Sequence, residues 1–235
     1  MELFTAVHGP WWDKDRVLLI GGGPSLTGFD LARFVGRPGH RVIGVNHAMF
    51  DLPDCDAGVS RDAAFIETNH ERLAEFASRR ELYLAPGERW FEVGRTPIPG
   101  AVYLRPADCT GLSLHPGWVC NGGTSGYTAL NVAVLKRATV IVLFGYDYGS
   151  IGARHHYHNR YPFDSGCWQE WAAYYRAAKL DCAKAGVIVI NASIDSAIDA
   201  FPKCSIEDAL CDRSSSKAWT ASATTFTSGR PSGSF

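Results

Sequence analysis

Short, β-branched apolar runs alternate along this chain with longer amphipathic segments, the pattern of parallel strands joined through helices. Residues 16–20 (RVLLI) read as a strand buried on both faces, because four successive apolar side chains leave no polar face for solvent. A glycine-rich turn follows, and then a short helix over 26–34. Strands are expected over 41–45, 57–60, 81–85 and 101–105. Residues 63–77 place Phe65, Ile66, Leu73 and Phe76 near helical spacing, and the Pro-rich stretch over 86–116 reads mostly as loop. Beyond it come a helix over 124–136, the most strand-like run of the chain over 139–144, a long helix over 166–185, a last strand over 187–191 and a closing helix over 205–210. The predicted fold is one Rossmann-like α/β domain, with a mostly parallel sheet and helices on both faces, covering residues 1–211. Residues 212–235 are rich in Ser, Thr and Gly without periodicity and read as a flexible tail.

The chain has 235 residues, 46% of them hydrophobic and 20% charged, which is enough apolar material for a full core. The formal net charge of -1 provides no broad positive field for a long polyanion, so strong nucleic-acid binding is not expected. Seven cysteines at irregular spacing, without a C-x-x-C pair, argue against a disulfide framework and a zinc knuckle and fit a reducing cytoplasm. The N-terminus lacks the order of a secretory signal, and no apolar run approaches a membrane span. Self-association as a homo-oligomer is left open.

Three constellations follow predicted strands, and open α/β sheets bind ligands at the carboxyl ends of their strands. Gly21-Gly22-Gly23-Pro24-Ser25 after the first strand lets bare backbone approach a phosphate at a helix start. It is neither G-x-G-x-x-G, because Leu26 stands where the last glycine would fall, nor a Walker loop; a tight turn without ligand is the plain alternative. Asn121-Gly122-Gly123-Thr124-Ser125-Gly126 opens a helix with two hydroxyls, which serve either an anion or simple N-capping. Gly145-Tyr146-Asp147-Tyr148 ends the strongest strand with a carboxylate suited to a ribose or a base. The polar loop after it carries His155, His156, Tyr157 and His158. His156 or His158 is the candidate general base; the same histidines would serve a metal only with acidic or cysteine partners, which do not recur at metal-site spacing, and solvated loop histidines are the plain alternative. Asp62, after the strand over 57–60, is either a sugar or ion ligand or an N-cap. Trp11, Trp12, Trp168 and Trp171 read as packing.

Taken in order, Gly21-Gly22-Gly23-Pro24-Ser25-Leu26, Asn46, Thr124-Ser125-Gly126 and Gly145-Tyr146-Asp147-Tyr148 resemble the motif set of the bacterial sialyltransferases of glycosyltransferase family 42, over about the first 150 residues. Continued by the His-Tyr-His loop, Trp168, Trp171, the run 187–192 and Ser196-Ala197-Ile198-Asp199-Ala200-Phe201-Pro202, the set is similar to a group of proteins often found in bacteriophage genomes, up to Leu210. More distantly, the glycine-rich start resembles archaeal 6-hydroxymethylpterin pyrophosphokinase-like proteins.

The first resemblance implies a metal-independent glycosyltransferase that takes a CMP- or UDP-type sugar donor as substrate, transfers the sugar to a hydroxyl-bearing acceptor and holds no cofactor. It implies that Gly22, Gly23, Pro24, Ser25 and Asn46 contact the phosphate and sugar, Ser125 the donor sugar, and Gly145 with Asp147 the nucleoside. A loop histidine would be the base, with Thr124, Arg154 or Arg160 supporting the departing phosphate. A bacterial or phage-infected cytoplasm is the implied setting. The chain departs from the family at Gly22 (family Asn), Gly122 (a basic residue) and Gly149 (a tyrosine, for which Tyr148, Tyr157 or Tyr161 could substitute). Two other expectations stand beside this one: a Mg-dependent pyrophosphokinase-like transferase with Asp62 or Asp147 on the metal, and a nucleotide-binding module without chemistry.

Overall fold

A computed structural model describes residues 4–108, 110–120, 122–158 and 167–211; the predicted tail, Asn121, Arg160 and Tyr161 lie outside them. β1 (Arg16–Ile20) is followed not by the helix expected over 26–34 but by two 3₁₀ turns, Pro24–Leu26 and Leu31–Phe34. The break has local causes. Gly28 adopts a φ of 76°, and the Asp30 carboxylate accepts from the Ala32 N–H at 3.1 Å, restarting the chain in a new turn. Next come β2 (His40–Val45), α1 (His47–Asp51) and β3 (Ala57–Ser60), of which α1 was not predicted. The helix expected over 63–77 is two, α2 (Ala63–Thr68) and α3 (His70–Ala77). Asn69 divides them, its side-chain amide donating to the Phe65 carbonyl at 2.9 Å.

β4 (Glu81–Leu84) and β5 (Val102–Tyr103) fall where strands are expected; α4 (Glu88–Glu92) lies inside the stretch read as loop, and β6 (Arg105–Ala107), reaching into that stretch, pairs in parallel with β7 (Trp118–Cys120) just beyond it. α5 (Ser125–Leu135), β8 (Val140–Phe144), α6 (Trp168–Lys184), β9 (Ile188–Asn191) and α7 (Ile206–Leu210) complete the chain close to their expected positions. Against the reading of cysteine spacing, Cys120 is disulfide-bonded; Cys55, Cys167, Cys182, Cys204 and Cys211 are free thiols.

The seven strands of the main sheet run in the order β5-β4-β3-β2-β1-β8-β9, and every pairing is parallel. This is the mostly parallel, doubly covered α/β sheet that the alternation predicts. β1 lies inside it, between β2 and β8, and its side chains divide by parity: Val17 and Leu19 join the core beneath α5 and α6, Leu18 and Ile20 the core beneath α1, α2 and α3. All four are fully buried, each stabilising the fold by about 1.5–3 kcal/mol relative to exposure. α5 is buried on nearly every side, its polar Thr128 and Asn131 included. Its Asn131 takes the Ser113 and Cys120 N–H groups, both at 3.0 Å, and so staples the loop before it.

Lys136, at the end of α5, is fully buried. Its ammonium donates to the His8 carbonyl at 2.8 Å and to Glu81 at 3.0 Å, and lies 4.8 Å from the Trp12 ring centroid, which fixes the N-terminal segment across the sheet edge. Trp12 is buried as predicted, while Trp11 is exposed beneath the Arg137 guanidinium. No helix among the described residues is long and apolar enough to cross a membrane.

Candidate functional site

Strand order reverses direction at β1: the chain steps outward through β2 to β5 on one side and places β8 and β9 on the other. The crevice beyond the carboxyl ends of β1 and β8 is therefore the expected ligand position. The first and third sequence constellations meet there. The Gly21 and Gly23 N–H groups donate to the Phe144 and Gly145 carbonyls, each at 2.8 Å. A Cβ at Gly21 would stand 2.6 Å from the Gly145 oxygen, and one at Gly23 would overlap the Asp147 carboxylate. Two of the three glycines thus have a packing reason: only bare backbone lets the β1 and β8 turns close on each other. Gly145, at φ 66°, needs its own freedom, with Leu26 packed where a side chain would be.

Asp147 is 4% exposed. Its Oδ2 accepts from the Ser25 hydroxyl at 2.8 Å and the Ser25 N–H at 3.3 Å, and Ser25 Oγ is in turn 3.2 Å from Ser193 Oγ. Its Oδ1 is buried without a hydrogen-bond partner. Burial raises the Asp147 pKa, and the Ser25 bonds only partly offset that rise. Asn46 Oδ1, His155 Nδ1 and Asn191 Nδ2 are three more buried polar atoms at this sheet edge without a partner. Such atoms are costly unless something satisfies them. Asn46 and Tyr148 also hold positive φ values of 53° and 50° here, conformations uncommon outside glycine.

The second constellation is bonded to the third. Thr124 caps α5 through the Tyr127 N–H and lies 2.5 Å from the Tyr148 hydroxyl, which continues to Tyr175 at 2.8 Å. Burial pushes the Tyr148 phenol up to about 12, so it stays a neutral hydrogen-bonding group. Ser125 Oγ accepts from the Arg61 N–H at 3.0 Å, tying α5 to the end of β3. A Cβ at Gly126 would meet the Tyr146 ring at 3.0 Å, and one at Gly122 would overlap the Tyr127 ring. Both hydroxyls of this turn are therefore engaged within the protein.

His156 and His158 stack with ring centroids 5.2 Å apart and planes 5° from parallel, over the first turn. A Cβ at Gly22 would come 3.3 Å from His156 Nδ1 and 3.6 Å from His158 Nε2, so a side chain at that position would crowd both rings. Burial lowers the His156 pKa below 6.5, while a hydrogen bond to the Gly22 backbone favours its charged form. A neutral imidazole that donates one N–H to a carbonyl presents its other nitrogen as an acceptor, which is what a general base requires.

Asp62 is not drawn into this group. It is exposed and caps α2 by accepting the Phe65 N–H at 3.1 Å. It stands three strand spacings from Asp147, roughly 14 Å, so the two carboxylates do not share one cation. Among the described residues no group of three or more His, Cys, Asp or Glu is arranged to hold a metal ion. Arg154 is exposed and closes a backbone bridge with Ile151. A cavity of about 470 Å³, lined by His8, Arg41, Arg79, Arg80 and Glu81 among others, lies at the opposite edge, by the amino ends of β2 to β5.

Sequence reasoning missed His47, Asp51 and Ser193, and read Trp168 as packing. His47 and Asp51 lie on the unpredicted α1. Trp168 stands edge-on to the His156 ring at 6.1 Å. Ser193 was legible as the polar residue just past the last strand. No family model, curated protein or solved structure matches the chain.

Proposed function

We propose that the chain is a glycosyltransferase that takes a CMP- or UDP-type sugar donor, works without a metal and uses a histidine base. The observation that carries the reading is Asp147: a buried carboxylate at the switch point, with one oxygen held by Ser25 and the other unsatisfied. That oxygen suits the hydroxyl or amino donors of a nucleoside. The stacked histidines beside the same turn supply the second requirement. His156 suits the role of base, because burial favours its neutral form and it is hydrogen-bonded to the Gly22 backbone.

In the proposed reaction His156 takes the proton of the acceptor hydroxyl as its oxygen attacks the anomeric carbon. The bond from that carbon to the donor phosphate breaks, and the nucleotide departs with the electron pair. His158, stacked on His156, is the alternative base. The resemblance of the ordered motifs to family 42 sialyltransferases supports this class of donor, while glycines at 22, 122 and 149 leave the sugar itself unassigned.

A thermal-shift panel of nucleotides and nucleotide sugars, with and without Mg²⁺, tests the reading, since a ligand bound only by the native state raises Tm. Stabilisation by a CMP or UDP compound without metal is expected, followed by turnover of the matching sugar donor. Stabilisation by ATP only with Mg²⁺ replaces this reading with pyrophosphoryl transfer. Binding without turnover leaves a nucleotide-binding module.

A further inference from the structure

We infer that α1 is a clamp that sets the His156–His158 segment over Gly22, with Asp51 and His47 as positioning residues; the catalytic meaning of this clamp rests on the reading above. His156 and His158 stack on each other and both face Gly22. Tyr157, between them, is anchored elsewhere. Its N–H donates to the Gly22 carbonyl at 3.0 Å, and its hydroxyl donates to Asp51 Oδ2 at 2.7 Å, across 106 residues of sequence. A phenol on a carboxylate is a charge-assisted bond, stronger and more directional than a neutral one.

The second contact of α1 is through His47. This ring is 8% exposed and stands edge-on to His158, with centroids 5.0 Å apart and planes at 71°. On its other side it meets Phe65 of α2, also at 5.0 Å, and Phe65 stacks on Phe50, whose ring carries the Arg72 guanidinium at 3.9 Å. α1 itself is set directly on the sheet. A Cβ at Gly44 would come 2.5 Å from the Met49 Cα, and one at Gly58 would come 2.8 Å from the Met49 sulfur. Two strand glycines thus let the helix rest against backbone, giving the clamp a rigid base. His155, His158 and Trp168 face His156, while His47, Tyr157 and His156 face His158. The Asp51 carboxylate lies behind Tyr157, holding its hydroxyl.

The test is a titration of the His156 and His158 imidazoles by long-range ¹H–¹⁵N NMR on the full chain, comparing the parent with Asp51→Ala, Tyr157→Phe, the double variant and Asp51→Asn. In the parent His156 titrates below 6.5. Asp51→Ala and Tyr157→Phe each release the segment and move that midpoint up toward 6.5, and the double variant moves it no further than either single change, as expected for two ends of one bond. Asp51→Asn keeps an acceptor oxygen and retains the parental midpoint. Tyr157→Phe removes one oxygen only, so it reports even if Asp51→Ala fails to fold. Unchanged titration in Tyr157→Phe, or shifts that add fully in the double variant, overturns the clamp.

Turnover separates this inference from the reading beneath it. With a CMP or UDP sugar as probe, kcat falls about ten-fold in Tyr157→Phe while KM stays within about two-fold. Shifted titration in a protein that turns over no nucleotide sugar overturns the glycosyltransferase reading and leaves the clamp standing. Lost turnover with unshifted titration overturns the clamp alone.

Discussion

Replacing Asp147 by asparagine separates what this carboxylate does for the fold from what it does for a ligand. In the folded protein the Ser25 N–H and O–H both donate to Oδ2. The Ser25 N–H needs an acceptor, so in Asp147→Asn the new amide oxygen takes the Oδ2 place and the NH₂ group occupies the unsatisfied Oδ1 place. Burial raises the Asp147 pKa above its usual 3.8. The folded state therefore holds this proton more tightly than the unfolded state. Its contribution to stability is fully present below the unfolded pKa and is lost as pH rises through the folded pKa. Asp147→Asn cannot lose that contribution. Parent and variant converge in stability at about pH 3, and the variant's advantage grows through the window by at most about 1.4 kcal/mol per pH unit.

Ligand binding moves the other way, because a donor now faces the ligand's donor. Losing a hydrogen bond to a charged group costs about 1.5–3 kcal/mol, roughly 10- to 150-fold in Kd. Urea unfolding from about pH 3 to about pH 7 and calorimetric titration with CMP and UDP read the two effects separately. A variant that is less stable at neutral pH and binds as tightly as the parent refutes the reasoning, and Asp147 is then a scaffold residue.

Four further outcomes follow from particular contacts. Gly23→Ala drives a Cβ into the Asp147 carboxylate and the Gly145 carbonyl, which cannot move aside cheaply, and costs about 3 kcal/mol, seen as a fall in Tm of roughly 10 °C. Gly22→Ala meets only the two loop imidazoles, so it leaves Tm within about 2 °C while raising the His156 titration midpoint toward 6.5. Lys136→Ala strips the His8 carbonyl and Glu81 of their buried cation and lowers unfolding free energy by about 3 kcal/mol or more in a denaturant melt. His156→Gln or His158→Gln, made singly, lowers nucleotide-sugar turnover by about 100-fold at the base position; near-parental rates in both variants remove the base assignment.

The sheet was legible because both of its faces are buried. Four consecutive apolar residues in β1, closed by a glycine-rich turn, are too short for a helix and fit a strand serving two cores, and short β-branched runs located β2, β8 and β9 in the same way. Short elements were not legible. α1 has five residues and no side-chain N-cap, and it exists because Gly44 and Gly58 open space for Met49 on the sheet, a tertiary cause without local signal. Missing α1 meant missing His47 and Asp51. Conversely, the break at Gly28 and Asp30 was written in turn-forming residues and was overlooked. The glycine-rich turns were located correctly, but their spacing could not reveal that Gly21 and Gly23 are needed for contact with the β8 turn.

The two edges of the sheet differ in how their polar groups are satisfied, and that difference decides where a ligand is sought. At the amino edge, around the 470 Å³ cavity, each guanidinium has a carboxylate: Arg41 lies on Asp15 and Asp56, Arg79 on Glu75 and Arg80 on Asp54. Lys136 and Glu81 complete the same balance. Such pairs leave no surplus charge to attract an ion, and the exposed ones contribute about 0–1 kcal/mol each. At the carboxyl edge Asp147 Oδ1, Asn46 Oδ1, His155 Nδ1 and Asn191 Nδ2 are buried without partners, and Asn46 and Tyr148 hold uncommon backbone angles. Cavity volume favours the first edge because the His156–His158 segment lies against the Gly22 turn at the second. Unsatisfied polar atoms favour the second, and they are the stronger guide: empty space at a balanced surface costs the fold nothing, whereas each buried orphan costs about 1–3 kcal/mol until a partner arrives.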